Sequence, residues 1–481
     1  MSEADAIVVG AGPNGLAAAV TLARAGLSVQ VYERGSTIGG GARTAELTLP
    51  GFRHDVCSAV HPMALASGFF RRFELDRRVE FFTPEVSYAH PLDGARAGIA
   101  YRDLDRTVQQ LGADGPAFNR LMGPLVANAQ RIAQLTGSQL LQVPRHPLTA
   151  ARFGLSVLEQ GSQLWNLRFR GDEAPAMLTG VAAHSIRPMP SLGTAGAALS
   201  LGTQAHASGW PIPRGGSQSI VDALAADLVH HGGRITTDTE ITDLRELPSA
   251  TAVLLDVAPR ALIAMAGSSL PSAYRLALEA FRYGNAVAKV DFALSGPVPW
   301  ANPDVRRAGT VHLGGTRTEI AAGERQVSRG QHSANPYVLV SQPSLFDDSR
   351  APEDRHVLWA YTHVPRGSDI DQTDAVTTQI ERFAPGFRDV ILATSSRTAL
   401  EMQRYNPNYI GGDIAAGSPS MVQLISRPIP SPDPWRTPVD GLYLCSSSTP
   451  PGPGVHGLSG YYAARSALRH VFGVTTMPSL R

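Results

Sequence analysis

The chain has 481 residues, of which 43% are hydrophobic, and its formal net charge is +1. This length allows two to four domains with substantial hydrophobic cores. No run of lysine and arginine supplies the clustered positive charge that a nucleic-acid partner requires. The composition therefore indicates a globular enzyme that does not bind nucleic acid.

The first residues, MSEADAIVVG, contain no basic stretch ahead of the first apolar run, so we expect no cleaved targeting peptide and a cytoplasmic protein. No uncharged apolar run reaches the ~20 residues that span a bilayer, so we expect any membrane contact to be peripheral. The two cysteines, Cys57 and Cys445, are too far apart for a C-x-x-C redox pair and too few for a zinc site. We expect no metal site and interpret both cysteines as small core residues.

The first predicted elements form a dinucleotide-binding unit. A strand at residues 6–9 leads into G-x-G-x-x-G, and a helix is predicted over residues 16–25. In this motif the first glycine permits a tight turn, the second admits a pyrophosphate, and the third lets helix and strand pack closely. The phosphates then meet the free N–H groups and the positive end of the helix dipole. The motif residues are Gly10, Gly12, Pro13, Asn14 and Gly15.

A second strand, predicted at residues 28–32, ends at Glu33, about 20 residues beyond the turn, where an acid hydrogen-bonds the ribose of an adenosine. Arg34 comes next and leaves a 2′-phosphate, as in NADP, open at this stage. A glycine-rich stretch, RGSTIGGGART, follows. It resembles the second glycine signature of the FAD-binding superfamily that contains amine oxidases, phytoene desaturases and glutathione reductase.

That resemblance implies tight, non-covalent FAD and an α/β fold, with a Rossmann-type FAD-binding domain and an interleaved α+β substrate domain whose mixed sheet is covered by helices. Two further stretches are similar to FAD-contacting segments of the superfamily: residues 213–244, with a predicted helix at 220–231 and strand at 234–244, and the predicted strand at 251–259. In the first of them Ile241 is expected near the adenine. The resemblance assigns FAD binding to Gly10, Gly12, Pro13, Asn14, Gly15, Glu33, Arg34, Gly39, Gly40, Gly41, Ala42, Arg43, Thr44, Ile241, Gly454, Val455 and His456.

The C-terminal part contains a predicted strand at residues 441–445, a loop rich in glycine and proline at 450–457, and a helix at 458–471. In the superfamily it resembles, this segment returns to the N-terminal sheet and directs a helix N-terminus at the flavin. Backbone N–H groups near Val455 would stabilise negative charge on the reduced ring. His456, in the same loop, is a candidate acid or base.

The FAD-binding domain is therefore expected to be discontinuous, with segments 1–60, 211–267 and 437–473. Segments 61–210 and 268–436 are assigned to the substrate domain, and 474–481 to a tail. No second G-x-G-x-x-G follows a strand, so we expect no separate NAD(P)H domain. The predicted substrate-domain strands are 79–90, 98–102, 286–294, 337–341 and 356–364, and its predicted helices are 114–137, 148–170, 172–185, 192–207 and 373–383.

Residues 405–413, YNPNYIGGD, resemble a signature of the phytoene desaturase-like branch, which includes the pyridine nucleotide-disulphide oxidoreductase domain-containing proteins. We expect Asn406, Asn408 and Asp413 to shape a turn beside the pocket, as Asn and Asp do locally. This match covers nearly the whole chain and identifies a cofactor better than a substrate.

The chain has a single lysine, Lys289, in the alternating segment AVAKVDFAL. The layout resembles the amine oxidase strand whose lysine holds a water near flavin N5, so Lys289 is the first catalytic candidate; a solvated position on a strand face is the other interpretation. His61, His184 and His206 are further candidates to line the site, although buried histidines are commonly structural.

The predicted helix at 148–170 carries Leu, Phe, Val and Trp among scattered arginines. It is interpreted as a helix that covers the substrate domain, with a lid or a membrane-docking helix as the alternative. We expect a small lipophilic substrate, with O₂ or a quinone as electron acceptor; the oligomeric state stays open. The leading expectation is desaturation, saturation or isomerisation of C–C bonds by FAD. The alternatives are an amine oxidase-like flavin oxidase and a prenyl-lipid binding protein similar to Rab GDP-dissociation inhibitors.

Overall fold

The computed structural model describes residues 4–481. Residues 1–3, which the first predicted FAD-binding segment includes, lie outside the described residues. The strands are β1 Ala4–Val9, β2 Val29–Tyr32, β3 Thr44–Glu46, β4 Arg53–Asp55, β5 Phe81–Phe82, β6 Val86–Leu92, β7 Arg96–Tyr101, β8 Ile212–Pro213, β9 Arg234–Thr236, β10 Ala250–Leu255, β11 Ala286–Leu294, β12 Ala308–Leu313, β13 Val338–Ser341, β14 His356–Val364, β15 Ile391–Arg397 and β16 Leu442–Leu444.

Short 3-10 turns connect many of the α-helices to their neighbours. The α-helices are α1 Pro13–Ala23, α2 Gly68–Arg72, α3 Leu75–Arg78, α4 Leu104–Gln110, α5 Gly115–Val126, α6 Ala129–Thr136, α7 Pro147–Gln160, α8 Glu173–Ala182, α9 Leu192–Ala207, α10 Gln218–His230, α11 Pro259–Ala266, α12 Ser272–Glu279, α13 Arg317–Ser328, α14 Thr373–Phe383, α15 Ala399–Tyr405, α16 Met421–Ser426 and α17 Leu458–His470.

A five-stranded parallel sheet, ordered β16-β10-β1-β2-β9, brings together segments that are far apart in sequence. Its central strands are apolar on both faces, as parallel sheets between helix layers require. Helices α1, α10 and α17 cover one face, and α11 and α12 cover the other. The carboxyl ends of the strands therefore meet at one edge, where doubly wound sheets bind nucleotides.

A second sheet has seven strands in the order β15-β11-β14-β13-β12-β6-β7. Its pairings are antiparallel except for the parallel pair β12 and β6. Helix α14 packs on one face, while α5, α8 and α9 belong to the core on the other face. The predicted fold class is confirmed: a Rossmann-type unit combined with a mixed sheet covered by helices.

Several predicted boundaries are wrong because local breakers interrupt the apolar pattern. The helix predicted at 114–137 is divided into α5 and α6 by a turn at residues 127–128, shortly after Pro124. The helix predicted at 148–170 ends at Gln160, before Gly161, and a 3-10 turn follows. The strand predicted at 79–90 is interrupted at residues 83–85, which include Pro84, and the strand predicted at 234–244 keeps only its first three residues.

Candidate functional site

A cavity of about 1080 Å³ lies between the two sheets. Its dinucleotide half is lined by residues of the segments 9–14, 32–43, 239–265 and 446–455. Its substrate half is lined by residues of the segments 135–210 and 310–361, and residues from 57–63 and 405–424 lie between the two halves. One continuous space thus connects the carboxyl edge of the parallel sheet with the mixed sheet.

The turn from β1 to α1 has the close packing that the glycine motif predicts. A side chain at Gly15 would place its Cβ 2.0 Å from the Gly10 carbonyl oxygen, so only glycine fits there. Helix α1 starts with Gly12 as its N-cap and has no acidic residue in its first turn. The turn therefore offers backbone N–H groups and a positive helix end to an anion.

Glu33, at the end of β2, is positioned beside this turn. Its carboxylate accepts hydrogen bonds from Ala11 N at 2.9 Å and Gly35 N at 2.8 Å, and lies 3.1 Å from the Arg43 guanidinium. Both Glu33 and Arg34 line the cavity. Glu33 thus connects the two glycine signatures and presents a carboxylate where the ribose of a dinucleotide is expected.

The second glycine signature packs against the segment 405–413, although some 365 residues separate them. The Tyr405 hydroxyl donates to the Gly40 carbonyl at 2.7 Å. A Cβ at Gly41 would lie 2.2 Å from the Tyr409 hydroxyl oxygen, which leaves no room for a side chain. Asn408 accepts from Ala258 N at 2.8 Å. Two motifs recognised separately in the sequence therefore form one wall of the cavity.

Asp256 was missed by sequence reasoning, which placed it inside a predicted strand. It follows β10 at the carboxyl edge, lines the cavity, and accepts a hydrogen bond from Gly15 N at 2.9 Å. Burial raises the pKa of its carboxyl to about 7, against the opposing effect of that hydrogen bond. An acid at the end of a third parallel strand is a signal that could have identified it.

The C-terminal loop packs against the N-terminal turn. The Asn14 side-chain amide donates to Ser447 Oγ at 3.1 Å, and helices α1 and α17 pack together. Gly454 and Val455 line the cavity. The predicted return of this segment to the first sheet is therefore observed.

His456 does not have the position expected of a catalyst. Its Nδ1 accepts from Leu458 N at 3.0 Å, so Nε2 is the protonated nitrogen and donates to the Gly452 carbonyl at 3.0 Å. Burial lowers the pKa of the ring to about 4. Both nitrogens are thus used within the loop, where the ring caps α17. This arrangement argues against the predicted acid-base role.

Lys289 is buried, and its ammonium forms an ion pair and hydrogen bond with Asp291 on the same strand face. Asp291 is also 3.5 Å from His54 Nδ1. Burial lowers the pKa of Lys289 and raises that of Asp291 to about 6. Within residues 4–481, Lys289 is not part of the cavity lining, but its Nζ lies 5.5 Å from the ring centroid of Trp359, which is. The interpretation as a solvated strand residue is therefore wrong, and a contact with flavin stays a prediction.

Two of the three further histidine candidates line the cavity. His61 and His184 do so, whereas His206 instead bonds the Tyr101 carbonyl through Nδ1 at 2.7 Å. Burial lowers the pKa of His61 to about 4 and that of His184 to about 3, so both rings are neutral near pH 7.

The residues assigned to FAD binding divide into two groups. Gly15, Gly39, Ala42 and Thr44 support the cradle from behind; Thr44, for example, donates to Asp55 at 2.8 Å. His456 also lies behind the lining. The assigned residues that line the cavity are Gly10, Gly12, Pro13, Asn14, Glu33, Arg34, Gly40, Gly41, Arg43, Ile241, Gly454 and Val455.

Comparison with known proteins agrees with this geometry. Residues 8–73 match the family of the NAD(P)-binding Rossmann-like domain. The chain is 26% identical to pyridine nucleotide-disulfide oxidoreductase domain-containing protein 2 of Rattus norvegicus, over 97% of this chain and 94% of the relative. Among solved structures, putrescine oxidase bound to putrescine aligns over 98% of this chain and 99% of its own, with 17% identity and a TM-score of 0.60.

Cyclohexylamine oxidase from Brevibacterium oxydans aligns over 98% of this chain and 99% of its own, with 14% identity and a TM-score of 0.58. The chain therefore shares its fold with these two oxidases. The resemblance noted in the sequence is therefore confirmed at the level of architecture. Within residues 4–481, none of the helices combines the length and hydropathy needed to cross a bilayer.

Proposed function

We propose that this protein is an FAD-dependent oxidoreductase that acts on a neutral, mostly apolar organic molecule. The residues present fit the cofactor: the α1 turn would offer its N–H groups to the pyrophosphate, Glu33 would bind the ribose, and Ile241 lines the side where the adenine is expected. When bound, the flavin supplies hydride transfer to or from a substrate carbon. The protein itself binds the substrate, orients it and excludes water.

The distribution of charged side chains in the cavity indicates the class of substrate. Among the described residues, the lining contains five formally charged side chains, and all five belong to the dinucleotide half: Glu33, Arg34, Arg43, Glu240 and Asp256. The substrate half has none, and both histidines that line the cavity, His184 in this half and His61 between the halves, are neutral near pH 7. A charged group that entered this half would lose its hydration without gaining a counter-ion. The lining therefore favours a neutral substrate.

Apolar side chains from three helices enclose the substrate half. Leu135 comes from α6, Phe153 and Val157 from α7, and Leu192 and Leu201 from α9. Such a lining suits a lipophilic molecule, because burial of its apolar surface provides the binding energy. It also keeps water away from the space next to the proposed flavin.

Amine oxidation is the second candidate function, and one observation favours it. Trp359 and Tyr361, with ring centroids 5.1 Å apart, line the cavity together with Tyr405 and Tyr409. Aromatic faces attract cations even without a carboxylate. An amine that loses its proton on binding would also be compatible with an uncharged lining.

The purified protein provides the test of both candidates. Flavin absorbance should be present, and acid precipitation should release the flavin into the supernatant. The FAD-loaded protein is then mixed anaerobically with neutral lipids and with cyclohexylamine or putrescine. Bleaching by a neutral lipid supports the proposal; bleaching by amines alone, with peroxide formed on re-aeration, supports the second candidate. A colourless protein that binds prenyl groups would instead indicate a lipid-binding protein.

The proposal includes a peripheral membrane contact at the segment 140–167. Within residues 4–481, eight of thirteen exposed large aliphatic side chains lie in this segment: Leu140, Leu141, Val143, Leu148, Leu155, Leu158, Leu164 and Leu167. Leu140 also lines the cavity, as do Phe153 and Val157 on the buried face of α7. Helix α7 is thus apolar towards the cavity and also partly apolar towards solvent.

Charge favours a lipid surface as the occupant of this exposed face. Arg145, Arg152 and Arg170 are exposed, and none of them forms an ion pair within the described part of the chain. Arginines flanking exposed leucines fit an anionic bilayer surface, into which the leucines insert. A lipophilic substrate would then reach the cavity without crossing bulk water.

A further inference from the structure

Three neighbouring strands of the mixed sheet present polar side chains to the substrate half at one level. Thr310 on β12 lies opposite Ser341 on β13, and Ser341 lies opposite Trp359 on β14. Residues directly opposite each other in antiparallel strands project from the same face. All three line the cavity. We call Thr310, Ser341 and Trp359 the polar row.

The polar row has no partner within residues 4–481. Thr310 Oγ1, Ser341 Oγ and Trp359 Nε1 are buried and make no hydrogen bond there, although the side chains are only 2%, 1% and 5% exposed. A hydroxyl on the opposite face of the same sheet is satisfied, because Thr362 Oγ1 donates to the Tyr337 carbonyl at 2.8 Å. Buried polar groups are normally paired, so the row needs a partner from inside the cavity.

The donors and acceptors of the row specify the chemistry of that partner. An indole N–H only donates, whereas the two hydroxyls donate or accept, so the complementary group must offer an acceptor atom. Asp291 follows Trp359 in register, but its carboxylate is paired with Lys289 and does not line the cavity. Within residues 4–481, the polar row therefore has no unpaired charged side chain beside it.

We propose that the polar row binds a neutral oxygen-bearing group, a ketone or a hydroxyl, on an otherwise apolar substrate. This inference rests on the proposed function and narrows its substrate class from a hydrocarbon to an oxygenated lipophilic molecule. The row would orient the substrate by this group, because a site built to hydrogen-bond an oxygen discriminates against the analogue that lacks it.

The test measures equilibrium binding of small ligands to the FAD-loaded protein. The flavin difference spectrum and the shift in melting temperature both report the binding. The probes are decane, 2-decanone, 1-decanol, decanoate and decylamine, which share one chain length. We expect 2-decanone and 1-decanol to bind about five- to tenfold more tightly than decane. Thr310→Val combined with Ser341→Ala should reduce this preference at least about threefold, because only Trp359 Nε1 is left to bind the oxygen.

Thr362→Val is the matched control, because it removes a buried hydroxyl of the same sheet on the face away from the cavity. It should lower the melting temperature without changing the preference among ligands. Equal affinity for decane and 2-decanone, or no binding of any probe, would overturn the assignment. Tighter binding of decanoate or decylamine than of 2-decanone would overturn the neutral class. Failure of the proposed function is recognised separately, as a protein without flavin or one whose flavin no substrate reduces.

Discussion

Gly12 is the residue of the α1 turn at which a side chain is expected to obstruct the proposed cofactor. A Cβ built there lies 2.8 Å from Asp256 Oδ2, and Gly12 lines the part of the cavity where the pyrophosphate is expected. Gly12→Val should therefore abolish FAD binding, whereas Glu33→Ala should only weaken it. Flavin content after gel filtration measures both. Gly296→Val is the control, because nothing lies within 4 Å of its Cβ position; full flavin content in Gly12→Val would contradict the proposed cradle.

The raised pKa of Asp256 predicts that FAD binding depends on pH. Its pKa is raised to about 7 in the flavin-free fold, so the carboxyl is protonated at pH 6 and charged at pH 8. A charged carboxylate beside the α1 turn repels the pyrophosphate, so FAD affinity should fall as the pH rises through 7, by at most about tenfold per pH unit. Because the pKa of Asp256 is higher in the folded than in the unfolded protein, the flavin-free protein should also lose stability as the pH rises from about 4 to about 7.

Fluorescence titration of flavin-free protein with FAD between pH 6 and pH 8 measures the predicted fall in FAD affinity. Asp256→Asn should give a flat profile, because its amide oxygen still accepts from Gly15 N but carries no charge. Asp440→Asn, at a fully exposed acid, should keep the slope of the parent protein. A flat parent profile would show that Asp256 lies away from the pyrophosphate.

Lys289 is held by Asp291, so its substitution should affect the fold. Lys289→Met leaves a buried carboxylate without its counter-ion, and the free energy of unfolding should fall by about 3–5 kcal/mol. Adding Asp291→Asn should restore much of that loss, since the remaining group is neutral. Chemical denaturation measures this, and stopped-flow reduction of the double variant separates a kinetic role from a structural one. Unchanged stability of Lys289→Met would show that the pair contributes nothing to the fold.

The residues predictable from the sequence are those whose chemistry depends on local spacing. Gly10, Gly12, Glu33 and Gly41, which line the cavity, could be predicted because a turn, its following acid and a glycine-rich stretch lie close together in the chain. Asp256 and the polar row were missed, because strand pairing between distant segments brings them to the cavity. His456 became a candidate through its position in the loop, whereas its two hydrogen-bond partners could not be predicted from the sequence.

At the scale of elements, α7 and the turns around it predict membrane binding. Leu148, Leu155 and Leu167 are 87%, 68% and 78% exposed. Changing all three to serine should weaken binding to vesicles of phosphatidylglycerol and phosphatidylcholine by at least about tenfold, because their insertion supplies apolar contact. Flotation assays measure the bound fraction, and added salt should lower it by screening the arginines.

Leu276, Ile370 and Leu392 offer a matched triple substitution to serine, because they are exposed aliphatic residues in other parts of the protein. That control should bind vesicles as the parent does. Equal loss in both variants would indicate general destabilisation, and no binding by the parent protein would refute the membrane contact.

Elements with a strong period were predicted well, and those interrupted by breakers were not. The strand at 286–294 and the helices at 192–207 and 373–383 have the predicted bounds, since each apolar pattern runs unbroken. Strands β12 and β15 were missed. The first is short and buried, and the second is a partly exposed edge strand, so neither shows the alternation on which strand prediction depends.

At the scale of the whole molecule, residues 4–481 contain one dinucleotide-binding turn. This predicts which reductants will not reduce the flavin. The five-stranded sheet offers a single glycine turn at the start of α1, and the mixed sheet is largely antiparallel. If FAD occupies that turn, NADH and NADPH have no Rossmann site left and should reduce the flavin poorly. Anaerobic mixing with micromolar NADPH should leave the flavin oxidised over minutes, whereas dithionite, as the control, should bleach it at once. Rapid bleaching by NADPH would mean that a nicotinamide enters through the substrate half, whose uncharged lining offers its phosphates no cation.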